Sequence, residues 1–386
     1  MTSQTRPADK WGPLYFLASV GAGGLAVTFF MWLYMWVPHP DQPVPLFEDI
    51  ARAWGKGNPL MQAMIAVAMA GIAATAFLNI KLFIWNIGKL AAFQKSEAYS
   101  QLRRTNAQTQ LLAFPLAIAM VINVGFILGM VFVPGLWSIV EYLFPAAMAA
   151  FLVTGMLALK QIGAFLGRVL GEGGFDWKAN NSFAQVLPAF ALAMTGVGLS
   201  ASSALSVNPV TAGIGLVLAT LFLVISSVYA AIAVVMGFAS MLQHGTNVEQ
   251  APTITIIVPL MTVLGILMLR LDHGMHVHFG SHAAPGETLM MLTQFLAMEI
   301  AFGLLGIAVL AKQGYFRRFV TGRETSIGSY ALVCPGVAFA VLMHFFVNKG
   351  LVGAGIIAKF GVAYWSLSAL AVASQIAMIA LVLVLN

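Results

Sequence analysis

Charge is scarce in this sequence. Asp, Glu, Lys and Arg make up 8% of its 386 residues, against roughly 25% in an ordinary soluble domain. That excludes a water-soluble globular chain, and also a disordered one, which needs charge and has little apolar content. Cysteine is nearly missing: Cys334 stands alone, so no intrachain disulfide exists and thiols say nothing of the compartment. The common enzyme signatures are missing as well. There is no phosphate-cradling glycine loop with its lysine, no HExxH, no CxxC and no Ser nucleophile elbow, so the chain is not expected to be an enzyme. Alternating segments of about ten residues, which a membrane β-barrel requires, do not occur. The basic loops are short and carry few aromatics, which argues against a nucleic-acid partner.

What the sequence has is apolar length. Hydrophobic residues make up 60% of it and the mean hydropathy is +0.91. In lipid the backbone must satisfy its own hydrogen bonds, so long apolar runs are read as helices. They predict ten spans, over 13–37, 60–84, 111–133, 140–166, 185–206, 210–242, 254–271, 289–311, 330–347 and 360–385, in one transmembrane domain covering 1–386. The first run is too long for a cleavable signal and lacks a small-residue cleavage site. Trp32, Tyr34 and Trp36 mark an interface at its far end.

An even number of spans puts both termini on one side. The loops opposite the termini hold Arg52, Lys56, Arg270, Lys349 and Lys359; apart from Lys81, near the inner end of the second span, the other basic residues fall on the terminal side. Positive residues favour the cytoplasm. Both termini are therefore expected inside, in a bacterial inner membrane.

The odd-numbered spans share a mark. Each carries a proline near its start: GPLYF at Pro13, FPLAI at Pro115, LPAFA at Pro188, VPLMT at Pro259 and CPGVA at Pro335. Proline costs little in a first helical turn. The same spans are rich in small residues, as in SVGAGG, TGVGLSASS and CPGVAFA, whereas the last span reads IAMIALVLVL. Small residues let helices approach closely in a membrane. The expected fold is all-α: five helical hairpins in a pseudo-fivefold arrangement, odd helices inside around a central pore and even helices outside.

Ten spans in five hairpins, with proline-bearing inner helices, resemble the tellurite-resistance protein A family. That family includes bacterial dicarboxylate and tellurite-linked transporters and the plant slow anion channels. Cys334, immediately before Pro335, points to its TsoY-like transporter-type (seleno)protein subgroup, where selenocysteine takes such a place. The resemblance implies a homotrimer with one pore per subunit, and a pore closed by a phenylalanine on an inner helix. Phe16, Phe114, Phe190, Phe339 and Phe345 lie on odd spans and are the candidates here, with Cys334 as an alternative gate.

Other residues carry chemistry at membrane depth. Asn123 and Thr195 sit mid-span and can donate to an anion or to a neighbouring helix. Glu299 and His344 are the deep ionisable groups; as a pair they form a proton-coupling site, and separately they are interhelix hydrogen-bonding groups. The stretch RLDHGMHVHFGSH is read as an outer loop holding His273, His276, His278 and His282. At these spacings imidazoles bind copper or zinc, form a polar loop, or charge in acid and draw anions to a vestibule. Cys334 is either a small buried apolar group or a functional thiol, with no adjacent Lys or Arg to favour the thiolate.

Two functional expectations follow. One is passage of a small inorganic or organic anion through a pore lined by the odd helices, apolar and without buried Arg or Lys. The other is a thiol- or metal-dependent membrane protein that handles copper, sulfur or selenium species through Cys334 and the histidines.

Overall fold

The computed structural model describes residues 11–281 and 284–385. Among the described residues there is no strand, and ten helices are long and apolar enough to cross a membrane. In chain order they are α1 (Pro13–Trp36), α2 (Pro59–Phe93), α3 (Asn106–Phe132), α4 (Leu136–Glu172), α5 (Ala184–Leu205), α6 (Pro209–His244), α7 (Ala251–Phe279), α8 (Pro285–Lys312), α9 (Ile327–Val352) and α10 (Val362–Leu385).

Local sequence explains where these helices begin. Every odd helix opens with a tight 3-10 turn before its α-helical part: Pro13–Tyr15, Asn106–Leu112, Ala184–Val186, Ala251–Ile256 and Ile327–Leu332. The marked proline falls in or just after that turn, where no i−4 carbonyl is lost. Three even helices begin instead with proline at a first helical position, Pro59, Pro209 and Pro285. Asn58 and Asn208 cap two of them, accepting from Met61 N at 2.9 Å and from Val210 N at 2.9 Å. A capping oxygen there satisfies an otherwise orphaned N–H.

Most helices run past their apolar cores. α2 continues to Phe93 and α4 to Glu172, each well beyond its expected end. α7 also continues, to Phe279, so the stretch with His273, His276 and His278 is helix and not the expected loop. His282 lies outside the described residues. α9 ends in a wide π turn, Phe346–Val352, which carries Asn348 and Lys349. The proline-rich connection after α1 holds a short helix, Phe47–Lys56, whose Asp49 and Ile50 are buried.

Packing separates the helices into two sets. Around the centre α1 touches α3, α3 touches α5, α5 touches α7, α7 touches α9, and α9 touches α1. Each odd helix also packs on the even helix that follows it. The apolar windows of the odd helices are 50% to 94% buried, and those of the even helices 17% to 28%.

Glycine permits the closest approaches. A Cβ on Gly21 or Gly24 of α1 would lie 2.8 Å from Val333 Cγ1 or 2.6 Å from Val337 Cγ1 of α9. One on Gly198 of α5 would overlap the Phe151 ring of α4.

Polar clasps tie odd helices to their even neighbours. Asn79 of α2 donates to the Ser19 carbonyl at 2.7 Å, and Ser19 Oγ donates to the Asn79 carbonyl at 3.0 Å. Ser226 of α6 donates to the Ala189 carbonyl of α5 at 2.7 Å, and Ser374 of α10 to the Gly336 carbonyl of α9 at 2.8 Å. Thr262 of α7 donates to the Glu299 carboxylate of α8. Each bond is modest, about 0.6 kcal/mol in membrane proteins, but it sets the register between two otherwise featureless apolar faces.

Candidate functional site

A cavity of about 730 Å³ lies among the odd helices. Its walls follow from the small and apolar residues those helices turn inward. α1 contributes Gly21, Gly24 and Val27, α3 Met120 and Phe126, α5 Met194 and Gly198, α7 Val263 and Ile266, and α9 Val337 and Val341. Two even helices join them: α8 adds Pro285 and Thr288 at its start, and Phe144, Ala147, Met148 and Phe151 of α4 also line the space, so it spreads sideways past α3 and α5.

The two ends differ in chemistry. At the end nearest the marked prolines the cavity stops on Phe190, Pro259 and Cys334. The same three residues bound a second cavity of about 20 Å³ beyond them, with Leu14, Leu17 and Leu187 on its far side. A single layer of side chains therefore separates the two spaces. Cys334 is buried there, 8% exposed.

The opposite end is basic. Arg270, His273, His276 and Lys349 line it, together with His39 and one carboxylate, Asp272. Arg270 donates from Nη1 to the Val197 carbonyl at 2.7 Å. That carbonyl also accepts from Ser200 Oγ at 2.8 Å. Among the described residues the ion pairs are Arg52–Asp49 and Arg318–Glu324, and Arg270 is in neither. Its charge inside a membrane helix has no carboxylate counterpart, a costly arrangement that marks function more often than packing. Lys349 lies over the Tyr34 ring at 5.8 Å, and the His39 ring stacks on Tyr34 at 5.6 Å. His39 Nδ1 is 2.8 Å from the Val37 carbonyl. Burial lowers the His39 pKa from its ordinary 6.5, with Asp49 opposing and Lys349 and Lys359 adding to the fall.

No protein-family model matches the chain, and no curated protein matches it. The residues themselves must therefore carry the functional argument.

Of the residues singled out in the sequence, Asn123, Phe190, Cys334, Phe345, His273 and His276 line the cavity. Asn123 offers it little, because its amide donates to the Ala119 carbonyl at 3.0 Å and lies 3.6 Å from Met194 Sδ. The other gate candidates lie elsewhere. Phe16 is fully buried against Trp11, Phe83 and Phe114 between α1, α2 and α3, and Phe114 shares that cluster. Thr195 bonds the Ala191 carbonyl at 3.1 Å and turns its methyl toward Gly155 of α4. Phe339 packs in the apolar cluster that holds Phe29 and Ile65.

The expected Glu299–His344 pair is not formed. Glu299 turns to Thr262, leaving Oε2 without a partner, and neither His344 nitrogen has one. His344 stands edge-on to Trp36 at 5.8 Å. The two side chains answer to different neighbours because α8 meets α7 at Glu299, whereas His344 on α9 faces α1.

The histidines do not gather either. His276 Nδ1 is 2.9 Å from the Ser281 carbonyl, and His278 Nε2 is 2.9 Å from the Ser206 carbonyl. Among the described residues no three His, Cys, Asp or Glu side chains come together in a way that would hold a metal.

The expected lining without basic residues is corrected by Arg270 and Lys349. Arg270 stood at the very end of its expected span, 254–271, and was counted with the outer loop, and Lys349 lay beyond an expected end at 347. The available signal was the absence of proline between Pro259 and Pro285, which leaves nothing to end α7 at Leu271. Thr262 was missed as well; its place three residues after Pro259 put it on the inner face.

Proposed function

We propose that this protein is a membrane transporter or channel for a small anion. The observation that carries the reading is Arg270: a guanidinium inside a membrane-length helix, lining a cavity and free of any carboxylate partner. Lys349 adds positive potential at the same mouth, and Asp272 is the one carboxylate lining it. A concave site with one sign of charge concentrates the opposite ion.

In this reading the odd helices form a pseudo-fivefold ring, each with its even helix as a hairpin behind it, and the cavity is the pore. The circuit of contacts from α1 through α9 and back supports it, as does the difference in burial between odd and even helices. The layer of Phe190, Pro259 and Cys334 is the constriction, opened by rotation of the Phe190 side chain. The proline end faces the cytoplasm by the positive-inside argument, with both termini there, and the basic mouth faces outward. The reading includes kinship with the tellurite-resistance protein A group and assembly as a homotrimer. Its supports are the number of spans, the repeated prolines and the inner helices made of small residues.

Passage needs weak attraction more than tight binding. Arg270 draws the anion in at the mouth, the apolar wall holds it loosely, and the constriction sets the rate.

Proteoliposomes test this directly. Wild-type protein is expected to carry chloride or nitrate flux, and Arg270→Gln to reduce it at least tenfold with unchanged size-exclusion behaviour. Equal flux in both proteins overturns the role of Arg270; no flux of any anion overturns the transport reading. Cys334→Ser is expected to keep the flux, which separates an anion path from a thiol mechanism.

A further inference from the structure

We infer that the cavity accepts an organic monoanion, with a carboxylate or sulfonate head on Arg270 and an apolar body lying toward α4. This inference rests on the anion-transport reading and adds the substrate class.

Three observations carry it. The first is size. At about 730 Å³ the cavity falls in the range of pockets that hold organic ligands, roughly 300–1,000 Å³, and far exceeds what a dehydrated halide occupies.

The second is the supply of donors. An inorganic anion that sheds its water needs several hydrogen bonds in return, and the deep wall has few to give. Thr262 spends its hydroxyl on Glu299, and Asn123 spends its amide on Ala119. Arg270 commits one Nη1–H to Val197 and keeps the rest of its fork. One guanidinium is what a single carboxylate or sulfonate requires, since its planar donors match two oxygens at once. A second anionic group would find no second guanidinium there, and Lys349, the other cation of the lining, lies over the Tyr34 ring.

The third is where the space goes. It leaves the shared face of the odd helices and runs along α4, against Phe144, Ala147, Met148 and Phe151. Val197 takes the Arg270 bond, and its neighbour Gly198 lies against the Phe151 ring. The head group and this side chamber therefore adjoin. Met148 of α4 lines this side, and Met120 and Met194 line the same cavity, with thioethers that adapt to varied apolar shapes. A path for a bare ion has no use for a pliable apolar annex.

Straight-chain alkanesulfonates are the probe, because they stay ionised and do not cross lipid as neutral acids. Uptake into proteoliposomes holding the full chain is measured from methanesulfonate to octanesulfonate. The half-saturating concentration is expected to fall about fourfold for each of the first added methylenes, the usual gain for burying one. Arg270→Gln, which also controls for partition into lipid, is expected to lose saturable uptake of the whole series. Ala147→Phe fills the chamber and is expected to flatten the dependence on chain length while methanesulfonate and chloride still pass; Ala147→Leu replaces it if the larger side chain prevents folding.

A flat chain-length series in the wild type, or succinate taken up more tightly than butanesulfonate, overturns the organic-monoanion class. If chloride still passes in an Arg270-dependent way, the transport reading survives that failure. If neither chloride nor any sulfonate passes, both fall together.

Discussion

The odd and even helices have nearly the same hydropathy, from 1.5 to 2.5 in the odd set and from 1.9 to 2.4 in the even set. Their burial does not overlap at all: the least buried odd helix exceeds the most buried even one. Hydropathy therefore says that a helix can live in a bilayer, and not whether it meets lipid or protein there. What separates the two sets is side-chain size and placement. Odd helices turn Gly, Ala and Ser toward one another, whereas even helices carry branched aliphatics such as Val217, Val228 and Val235 outward. Lipid is as apolar as a leucine face, so contact between helices has to come from close packing and polar clasps.

Substitutions on the two sets of helices sharpen that contrast or break it. The largest effect is expected from Gly198→Leu on α5, whose new side chain meets the Phe151 ring. Overpacking there should cost about 3 kcal/mol. Gly163→Leu on α4 has nothing within 4 Å of its Cβ position and should stay within about 0.5 kcal/mol of wild type. Thermal unfolding in detergent compares them, and equal melting temperatures would remove the distinction between the two helix sets.

Next comes Thr262→Val, which takes the donor from Glu299 when its other oxygen already has none. The cost of stranding a buried polar group is about 1–3 kcal/mol. Thr220→Val on the exposed side of α6 removes only a bond to its own helix, Leu216, and should change little. The double change Thr262→Val with Glu299→Leu is expected to regain most of the loss, because two apolar groups replace a broken pair. A double variant as unstable as Thr262→Val alone would show that Glu299 has another task in holding the fold.

Ser226→Ala on α6 is a smaller step. It removes one clasp to the Ala189 carbonyl, which keeps the bonding of its own helix, and should cost about 1 kcal/mol or less. An effect as large as that of Gly198→Leu would mean that clasps and not packing hold the two sets together.

The smallest effect lies in the loop after α1. Burial lowers the His39 pKa below its ordinary 6.5, so the folded chain binds this proton less readily than the unfolded one. The resulting stability is fully present above pH 6.5 and is lost as the pH falls through the lowered value. His39→Gln should remove that acid-side slope and leave stability at neutral pH close to wild type. An unchanged slope in the variant would assign the acid sensitivity to another group.

Much of the scaffold was legible along the chain. Apolar runs gave the number of spans, because a bilayer of fixed thickness demands a fixed length of helix. Prolines marked the odd helices, because a ring lacking an N–H fits a helix start and little else. The small residues of SVGAGG and TGVGLSASS foretold which helices are buried, since only a packed helix gains from losing side-chain volume. The site was less legible. Cys334 was singled out by its neighbouring proline and Phe190 as a phenylalanine on an odd span, and both line the cavity; Phe16, Phe114 and Phe339 were singled out on the same ground as Phe190, and Thr195 for its place mid-span, and none of these does. A helix has an inward face only relative to its neighbours, and nothing in one helix reports the angle at which the next one meets it.

Composition and the order of residues thus determined that this protein is helical and that, among the described residues, ten helices are long and apolar enough to cross a membrane. Only the tertiary structure decided that Arg270 and Lys349 face a common cavity, that α4 opens a side chamber to it, and that Glu299 answers to Thr262 and not to His344. The reason is one of range. Hydrophobic length and backbone bonding act within a single segment and are written in it, whereas a cavity is the space left among several segments, and its walls exist only once they have packed.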